Sequence, residues 1–371
     1  MNNKERYIVC AVIAVLIAFL LGVNFGQKNQ SEKYLKEKEE DVEIKRSAFE
    51  TIGDIKGTIY VTGHKNPDTD SVCCAMAYAK LLKELGYDAK AVILGDINKE
   101  TAYILKQLDM EIPEIIYDVS GENVVLVDHS EYAQSAEGLQ DANVICVIDH
   151  HGAGGFTKTG ALIFDSRPYG ALATIIYQLY RDYGVDIDEK TAFLLAAAIM
   201  SDMINLRSEV TTQGDRIALR RLLELSGINN SEEFYKAMTL VKYDYSDMSD
   251  KEIFTNDYKD YEFANFKYGI PVAMAYDEDQ ARELSVRMKK VLPEMVKRSG
   301  DDFIVIMVGI FHDDLDIAYL TPSDEFAAAI IKDAYPGSTF DGTSYIIIPG
   351  MSRKQGLVPK INEILTNHPH E

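Results

Sequence analysis

The chain has 371 residues, and its 38 Lys and Arg against 59 Asp and Glu give a formal net charge of −21. Such an anionic surface repels phosphate backbones, so a nucleic-acid partner is not expected. Hydrophobic residues at 47% and charged residues at 26% are typical of globular proteins, which excludes a disordered tail protein and a multi-span membrane protein. The length favours two domains. The four cysteines, Cys10, Cys73, Cys74 and Cys146, lack metal-finger spacing and indicate a reduced compartment.

The N-terminal segment Tyr7–Gly26 reads YIVCAVIAVLIAFLLGVNFG and contains no charged residue. As a helix with a rise of ~1.5 Å per residue it spans about 30 Å, the thickness of the hydrocarbon core of a bilayer. We therefore predict one transmembrane anchor. A signal peptide is the alternative because Lys4 and Arg6 precede the segment, although no small-x-small cleavage site follows it. More basic residues closely follow the segment than precede it, which favours a cytoplasmic position for the rest of the chain. The charged residues 27–56 predict a solvated helical spacer.

Short apolar runs then alternate with amphipathic stretches of helical length. We predict strands at Thr58–Thr62, Ala89–Leu94, Asn123–Val127 and Val144–Ile148, and helices at Ser71–Leu85, Lys99–Leu108, Leu172–Tyr183, Glu189–Ser201 and Thr212–Ser226. This alternation is typical of an α/β domain with a doubly wound parallel sheet.

A polar, acidic passage at Tyr243–Asp260 predicts the connection to a second domain, so we expect the two domains at residues 57–245 and 262–371. In the second domain we predict strands at Tyr268–Ala275, Phe303–Gly309, Asp316–Leu320 and Tyr345–Ile348, and helices at Asp277–Val296 and Asp324–Ala334. This pattern indicates a smaller, mixed α/β domain.

Three predicted strands of the first domain end in polar clusters, which read GHKNPDTDS from Gly63, VDHSE from Val127 and IDHH from Ile148. The carboxyl ends of parallel strands meet at one edge of a sheet, so we expect these side chains to converge there. Imidazole and carboxylate groups suit divalent transition metals such as Mn²⁺. Several carboxylates in one place need cations to neutralise them, which favours two metals over one.

Each cluster also has a structural explanation. Asp68, Asp70 or Ser71 could simply cap the helix that follows them, and the His-His pair could be incidental. The joint occurrence of the clusters at three strand ends favours a metal site, because capping does not require histidine. Asp202 ends the apolar run Ala192–Met200 and must be paired, coordinated to a metal or at the surface, of which we favour coordination.

The second domain has two adjacent cations, Arg353 and Lys354, at a predicted strand-to-helix turn. Guanidinium and ammonium groups both bind phosphate oxygens, so this turn could form an anion site. The alternative is a helix start with two solvated charges.

These motifs, together with the SD of MSDM and the late SRKQ, occur in the same order as the signature motifs of the family II inorganic pyrophosphatases, which the chain resembles from Ile59 to Leu365. The family belongs to the DHH phosphoesterase superfamily and has a DHH-associated C-terminal domain. The resemblance implies hydrolysis of pyrophosphate with Mn²⁺, with Co²⁺ or Mg²⁺ as substitutes. Residues Met1–Gly57 lie outside it.

Carried over position by position, the resemblance implies specific roles. It implies that one metal is held by His64, Asp68 and Asp128, that the other is held by Asp70, Asp128, His150 and Asp202, and that phosphate is contacted by His151, Lys259, Arg353 and Lys354. Asp128 would bridge two metals that activate a water for in-line attack, and the cations would offset charge on the leaving phosphate. Ser130, Gly152 and Met203 depart from the family pattern, which could weaken metal affinity or rate.

Two other functions stay open at this point. A related substrate, short polyphosphate or a nucleotide, would use the same chemistry, although the glycine-rich GGGH motif of nucleotide-cleaving relatives is absent. A membrane-tethered module with a degenerate site is the non-enzymatic alternative. The expected partners are pyrophosphate and, through the anchor, the membrane; a homodimer is left open. The expected localisation is membrane-anchored, with the catalytic domains in the cytoplasm.

Overall fold

A computed structural model of the chain describes residues 28, 30, 32–51, 55–152, 155, 157, 162–312 and 315–366. The described residues up to Asn229 form one compact unit, and those from Asn230 onward form a second. This division lies earlier in the chain than the predicted connection at Tyr243–Asp260. The domain ranges given above stay a prediction.

Six parallel strands form the sheet of the first unit. They are β1 (Ile59–Thr62), β2 (Ala89–Ile93), β3 (Glu114–Ile115), β4 (Asn123–Val127), β5 (Asn143–Asp149) and β6 (Ile163–Ser166). Their order is β3-β2-β1-β4-β5-β6, and every neighbouring pair is parallel. The strand order reverses between β1 and β4, and ligands of such sheets bind at the carboxyl edge of this switch point. The parallel sheet agrees with the prediction.

Six α-helices of the described residues accompany this sheet. They are α1 (residues 32–50), α2 (Thr69–Glu84), α3 (Lys99–Gln107), α4 (Leu172–Asp182), α5 (Glu189–Asp202) and α6 (Gln213–Leu223). Helix α5 is buried along most of its length, as its run of apolar residues predicts. Its last residue is Asp202, so this carboxylate lies at the C-terminal end of a buried helix.

The charged segment before the first strand is helical, but its last turns are not a free solvated spacer. The ring of Phe49 in α1 is 1% exposed and lies 5.5 Å from the ring centroid of Tyr87 and 5.8 Å from that of Tyr183. The guanidinium of Arg46 donates hydrogen bonds of 3.1 and 2.8 Å to the carbonyl of Tyr183, the C-cap residue of α4. The end of α1 is therefore part of the first unit.

The second unit contains a mixed six-stranded sheet. Its strands are β7 (Tyr258–Phe263), β8 (Phe266–Met274), β9 (Phe303–His312), β10 (Leu315–Pro322), β11 (Thr339–Phe340) and β12 (Tyr345–Ile347), in the order β11-β12-β10-β9-β8-β7. Among the described strands of this second sheet, the β8–β9 pair is parallel and the other neighbouring pairs are antiparallel. Alternate residues of β9 enter different cores, with Phe303, Val305 and Met307 in one and Ile304, Ile306 and Val308 in the other.

Five α-helices belong to the part of this unit that the structure describes. They are α7 (Ser231–Lys242), α8 (Asp250–Asn256), α9 (Glu278–Ser299), α10 (Glu325–Ala334) and α11 (Val358–Thr366). Helices α8 and α9 pack on one face of the sheet, and α10 and α11 on the other. The polar passage Tyr243–Asp260, predicted as a connection, contains α8 and the start of β7. A capping box at Ser249 and two buried apolar residues, Ile253 and Phe254, stabilise this short helix.

The predicted transmembrane helix and the membrane-anchored localisation require correction. Within the part of the chain that the structure describes, no helix is both long enough and apolar enough to cross a bilayer. Helix α9 has 22 residues, but charged side chains occur along its length, and these would be costly in a hydrocarbon core. The segment Tyr7–Gly26 lies outside the described residues. The described residues support a two-domain α/β fold with one parallel and one mixed sheet.

Candidate metal centre

The end of β1 brings His64 and Asp68 to the carboxyl edge of the parallel sheet. Gly63 follows the strand where a Cβ would lie 1.7 Å from Oγ of Ser71, so only glycine fits this close approach to α2. Asp68 is the N-cap of α2, and its Oδ1 accepts a hydrogen bond of 2.9 Å from the backbone N–H of Ser71. Its Oδ2 lies 3.7 Å from Nε2 of His64. Capping therefore leaves an oxygen of Asp68 directed at the imidazole.

Asp128 links three strand ends. It follows β4 with φ +66°, a left-handed conformation that aspartate adopts more readily than most residues, and its N–H donates to the carbonyl of Ile148 at 3.0 Å. The side chain is 2% exposed. Its Oδ2 lies 3.3 Å from Nε2 of His64, and its Oδ1 lies 3.1 Å from Nε2 of His150. One buried carboxylate thus contacts the imidazoles that follow β1 and β5.

The two imidazoles are held with their Nε2 atoms towards Asp128. Nδ1 of His64 lies 2.8 Å from the carbonyl of Lys65, and Nδ1 of His150 lies 3.1 Å from the carbonyl of Tyr169. A carbonyl only accepts, so each Nδ1 carries hydrogen and Nε2 is the atom that can bind a metal in the neutral ring. Burial alone would lower both pKa values. Asp128 and Asp68 at His64, and Asp128 and Asp70 at His150, together with the backbone carbonyls, outweigh burial and raise the pKa to about 11 for His64 and about 9 for His150.

Asp149, the last residue of β5, orients the two histidines that follow it. Its Oδ1 accepts hydrogen bonds from the backbone N–H groups of His150 and His151, at 2.8 and 3.1 Å, and lies 3.0 Å from Nδ1 of His151. Burial alone would raise the pKa of Asp149, but the hydrogen bonds from His151 and Ser130 and the charge of His151 together outweigh it and lower the pKa to about 2. An ionised Asp149 therefore fixes the ring of His151, whose side chain is 58% exposed.

Asp70 and Asp202 add two more carboxylates to the same edge. Asp70 is fully buried, and its oxygens accept hydrogen bonds from the N–H groups of Leu172 at 2.6 Å and Ala173 at 3.0 Å, at the start of α4. Burial and neighbouring carboxylates, first Asp128 for Asp70 and first Asp70 for Asp202, raise the pKa of Asp70 to about 6 and that of Asp202 well above its usual range. Bound cations would relieve this repulsion.

Three groups of side chains place one ligand atom each within 4.8 Å of one another. They are His64, Asp68 and Asp128; Asp70, His150 and Asp202; and Asp128, His150 and His151. The structure thus brings together all six side chains that the sequence predicts as metal ligands, and Asp128, the predicted bridge, belongs to two groups. Imidazole nitrogen with carboxylate oxygen is a donor set that fits Mn²⁺.

A cavity of about 450 Å³ opens onto these side chains and is lined by His64, Asp68, Asp128, Asp149, His151 and Asp202 among others. A larger cavity, of about 690 Å³, lies between α2, β2 and α5, and its lining includes none of the candidate ligands. The chemistry described above therefore belongs to the smaller cavity.

The predicted phosphate-binding cations of the second unit differ in their surroundings. The guanidinium of Arg353 forms an ion pair of 2.7 Å with Asp257 and donates to the carbonyls of Asp257 and Ile270, at 2.8 and 3.1 Å. Its side chain is only 11% exposed. Lys354 and Lys259 are exposed. The two lysines can therefore reach a ligand without breaking the contacts that hold Arg353.

Asp149 belongs to the IDHH motif but is not among the site residues predicted from the sequence. The available signal is its position, since a carboxylate between a buried strand and two imidazoles can bind the N–H groups of both. In contrast, both ring nitrogens of His129 of the VDHSE motif have partners other than the candidate ligands: they lie 2.9 Å from the carbonyl of Val127 and 2.8 Å from Oγ of Ser135. Burial lowers the pKa of His129, so the ring is neutral at pH 7.

Two family models match the chain: one described as DHH family, N-terminal domain, over residues 58–199, and one described as DHHA2 domain, over residues 236–364. A protein of Exiguobacterium sp. named "Probable manganese-dependent inorganic pyrophosphatase" is 33% identical over 313 residues, which cover 83% of this chain and 99% of that protein. The chain belongs to the manganese-dependent, family II inorganic pyrophosphatases.

Other members of this pyrophosphatase family agree. A protein of Archaeoglobus fulgidus with the same name is 32% identical, over 82% of this chain and 97% of its own length. The crystal structure of a Methanococcus jannaschii protein, named with the family II inorganic pyrophosphatases, superposes with a TM-score of 0.59 at 31% identity and covers 82% of this chain and 98% of that one. The resemblance stated from the motifs is confirmed.

The three departures from the family II pattern do not remove a candidate ligand. Met203, at 2% exposure, follows Asp202 and lies against Gly170, where a Cβ would be 2.1 Å from its sulfur. Ser130 is buried, and Gly152 is exposed. Their effect on activity stays a prediction.

Proposed function

We propose that this protein hydrolyses inorganic pyrophosphate to two phosphates in a reaction that depends on Mn²⁺. The observation that carries the proposal is the pair of donor groups, His64 with Asp68 and Asp128, and Asp70 with His150 and Asp202, at the switch point of the parallel sheet. Membership of the manganese-dependent pyrophosphatase family supplies the substrate and the metal.

The residues at the site fit two divalent cations. Each donor group offers one imidazole and two carboxylates, a set that suits Mn²⁺, and Asp128 lies between the groups. When bound, such a pair of cations lowers the pKa of water and offsets charge on phosphoryl oxygens. We propose His64, Asp68 and Asp128 for one cation and Asp70, Asp128, His150 and Asp202 for the other.

The chain's own side chains then orient the reacting groups. The carbonyls that bind Nδ1 of His64 and His150 keep both Nε2 atoms directed at Asp128, so the ligands are positioned before a cation arrives. Hydrogen bonding to Asp149 raises the pKa of His151, which favours an imidazolium with a proton on Nε2. We propose that this proton is donated to an oxygen of the substrate, where it offsets negative charge.

We also propose that Lys354, Lys259 and Arg353 bind phosphate oxygens, as the family motifs imply. Arg353 would do so with N–H groups other than those that Asp257 and the two carbonyls occupy. The homodimer that the resemblance leaves open is a separate proposal, which light scattering on the purified protein tests.

The proposed function is tested by phosphate release from pyrophosphate by the full chain, with Mn²⁺ and with Mg²⁺. Asp128→Asn keeps the shape of the side chain but removes the charge shared by both donor groups, so activity should fall by more than about 1,000-fold. Glu131→Gln, which changes an exposed carboxylate of the same cavity, should retain nearly full activity. Equal activity of the wild type and Asp128→Asn contradicts the proposal. Parallel assays with tripolyphosphate and ATP decide between pyrophosphate and the alternative substrates.

A further inference from the structure

Glu100 is a buried carboxylate that the proposed reaction does not use. It lies in the first turn of α3 and is 1% exposed. Its Oε2 accepts a hydrogen bond of 2.7 Å from Oγ of Ser201 and one of 3.0 Å from Oγ1 of Thr69. A carboxylate is rarely buried without such partners, and the start of a helix stabilises its negative charge. One oxygen of Glu100 therefore joins two hydroxyl groups that are 132 positions apart in the chain.

The direction of these hydrogen bonds is determined by the number of hydrogens. The hydroxyl of Thr69 has one hydrogen, which it donates to Glu100, so the 3.0 Å contact between Thr69 and Thr101 must be donated by Thr101. Thr101 is itself fixed, because its N–H donates to the cap residue Asn98 at 2.8 Å. The start of α3 therefore holds Thr69 by two of its residues.

Both partners of Glu100 immediately precede a candidate ligand. Thr69 precedes Asp70 in the first turn of α2, and Ser201 precedes Asp202 in the last turn of α5. Asp70 and Asp202 lie in one donor group with His150, so their separation decides how well both can bind one cation. Through its two hydroxyl partners, Glu100 ties together the helix ends that carry these carboxylates.

The backbone conformation after Asp202 makes the hydrogen bonds of Glu100 more important. Ile204, Asn205 and Leu206 have φ values of 50°, 49° and 69°, so three consecutive residues other than glycine are left-handed. This conformation is unfavourable, above all for a β-branched residue, and it persists only where surrounding contacts hold the chain. The hydrogen bond from Ser201 to Glu100 anchors the last helical turn before this segment.

We infer that Glu100 is a positioning residue, which fixes the separation of Asp70 and Asp202 and thereby sets the Mn²⁺ affinity of their donor group. The inference rests on the proposed function only in taking this group as a Mn²⁺ site. Partners that orient metal ligands typically contribute about 10–100-fold to metal affinity.

The test is Mn²⁺ binding by the full chain, measured by isothermal titration calorimetry without pyrophosphate. Glu100→Ala should weaken one of two Mn²⁺ sites by about 10–100-fold and leave the other unchanged. Glu100→Gln keeps an oxygen that can accept from both hydroxyls, so its affinity should lie within about threefold of the wild type. Leu105→Ala is the matched control: it removes a buried side chain, 1% exposed, from the same helix, so it should lower the melting temperature without weakening Mn²⁺ binding.

Unchanged Mn²⁺ affinity at both sites of Glu100→Ala overturns the inference, as does an equal loss in Leu105→Ala. If Glu100→Ala does not fold, Ser201→Ala and Thr69→Val each remove one hydroxyl and should weaken the same site by several-fold; no change in either overturns the inference. A wild type that binds two Mn²⁺ but does not hydrolyse pyrophosphate contradicts the proposed function alone. A wild type that binds no Mn²⁺ through Asp70 and Asp202 contradicts both.

Discussion

Loading of the metal-free protein with Mn²⁺ should release protons, because the two imidazoles proposed as ligands are protonated at neutral pH. Burial would lower both pKa values, but hydrogen bonds and nearby carboxylates, foremost Asp128, together outweigh it and hold the pKa of His64 at about 11 and that of His150 at about 9. Each ring donates through Nδ1 and must lose the proton on Nε2 before that nitrogen can bind a cation. We therefore expect at least two protons to leave when both donor groups are filled at pH 7.

The size of the effect follows from these pKa values. Because each pKa is raised, the proton is fully present at low pH and is lost as pH rises through about 9 for His150 and about 11 for His64. Removing the proton of His150 at pH 7 costs about 2.7 kcal/mol, which corresponds to about 100-fold in affinity. Below pH 9, each cation that binds displaces one proton from the imidazole of its donor group. The Mn²⁺ affinity of each donor group should therefore rise at least about tenfold per pH unit.

Calorimetric titrations in two buffers with different ionisation enthalpies, repeated between pH 6.5 and 8, count the released protons. His64→Gln should release about one proton fewer than the wild type. His129→Gln should leave the number unchanged, because burial keeps that imidazole neutral at pH 7. Release of less than one proton, or affinities that do not change with pH, would refute the assignment of these imidazoles as protonated ligands.

Two further predictions concern stability and substrate binding. Phe49→Ala should lower the free energy of unfolding by about 3–5 kcal/mol in chemical denaturation, because its ring is buried between Tyr87 and Tyr183. Tyr34 is 67% exposed in the same helix, so Tyr34→Ala should change the free energy of unfolding by less than about 0.5 kcal/mol. Equal effects of the two substitutions would show that α1 does not pack on the first unit. Lys354→Ala should raise the KM for pyrophosphate without changing the melting temperature. Arg353→Ala should raise the KM and also destabilise the protein by about 1–3 kcal/mol, because its bonds to Asp257 and two carbonyls are lost. A lower melting temperature of Lys354→Ala would contradict this distinction.

The sequence predicts that the candidate ligands lie close together because their position depends on a local rule. His64, Asp128 and His150 each follow a short apolar strand, and parallel strands place whatever follows them at one edge of the sheet. Asp202 could be predicted for a related reason, since it ends a helix that is apolar on all sides. The order of the motifs then identifies the family, which no single cluster does.

The contacts that hold these ligands could not be predicted, because they join positions far apart in the chain. Tyr169 is 19 positions from His150, and Ser201 is 101 positions from Glu100. The docking of α1 depends on one aromatic ring and one guanidinium in a segment that is otherwise strongly charged, so composition alone indicates a solvated helix. Helix α8 could not be predicted for a similar reason, since it has only two buried apolar residues.

Asp70 has two separate reasons to be an aspartate. Beyond its proposed metal, its oxygens are the acceptors for the first N–H groups of α4, and leaving two buried N–H groups without acceptors would destabilise the protein by about 1–3 kcal/mol each. A descendant of this protein that had lost its activity would still be under selection to keep that carboxylate. An aspartate at position 70 therefore indicates an intact fold. The ability to bind metal is better judged from Asp128 and the imidazoles of His64 and His150.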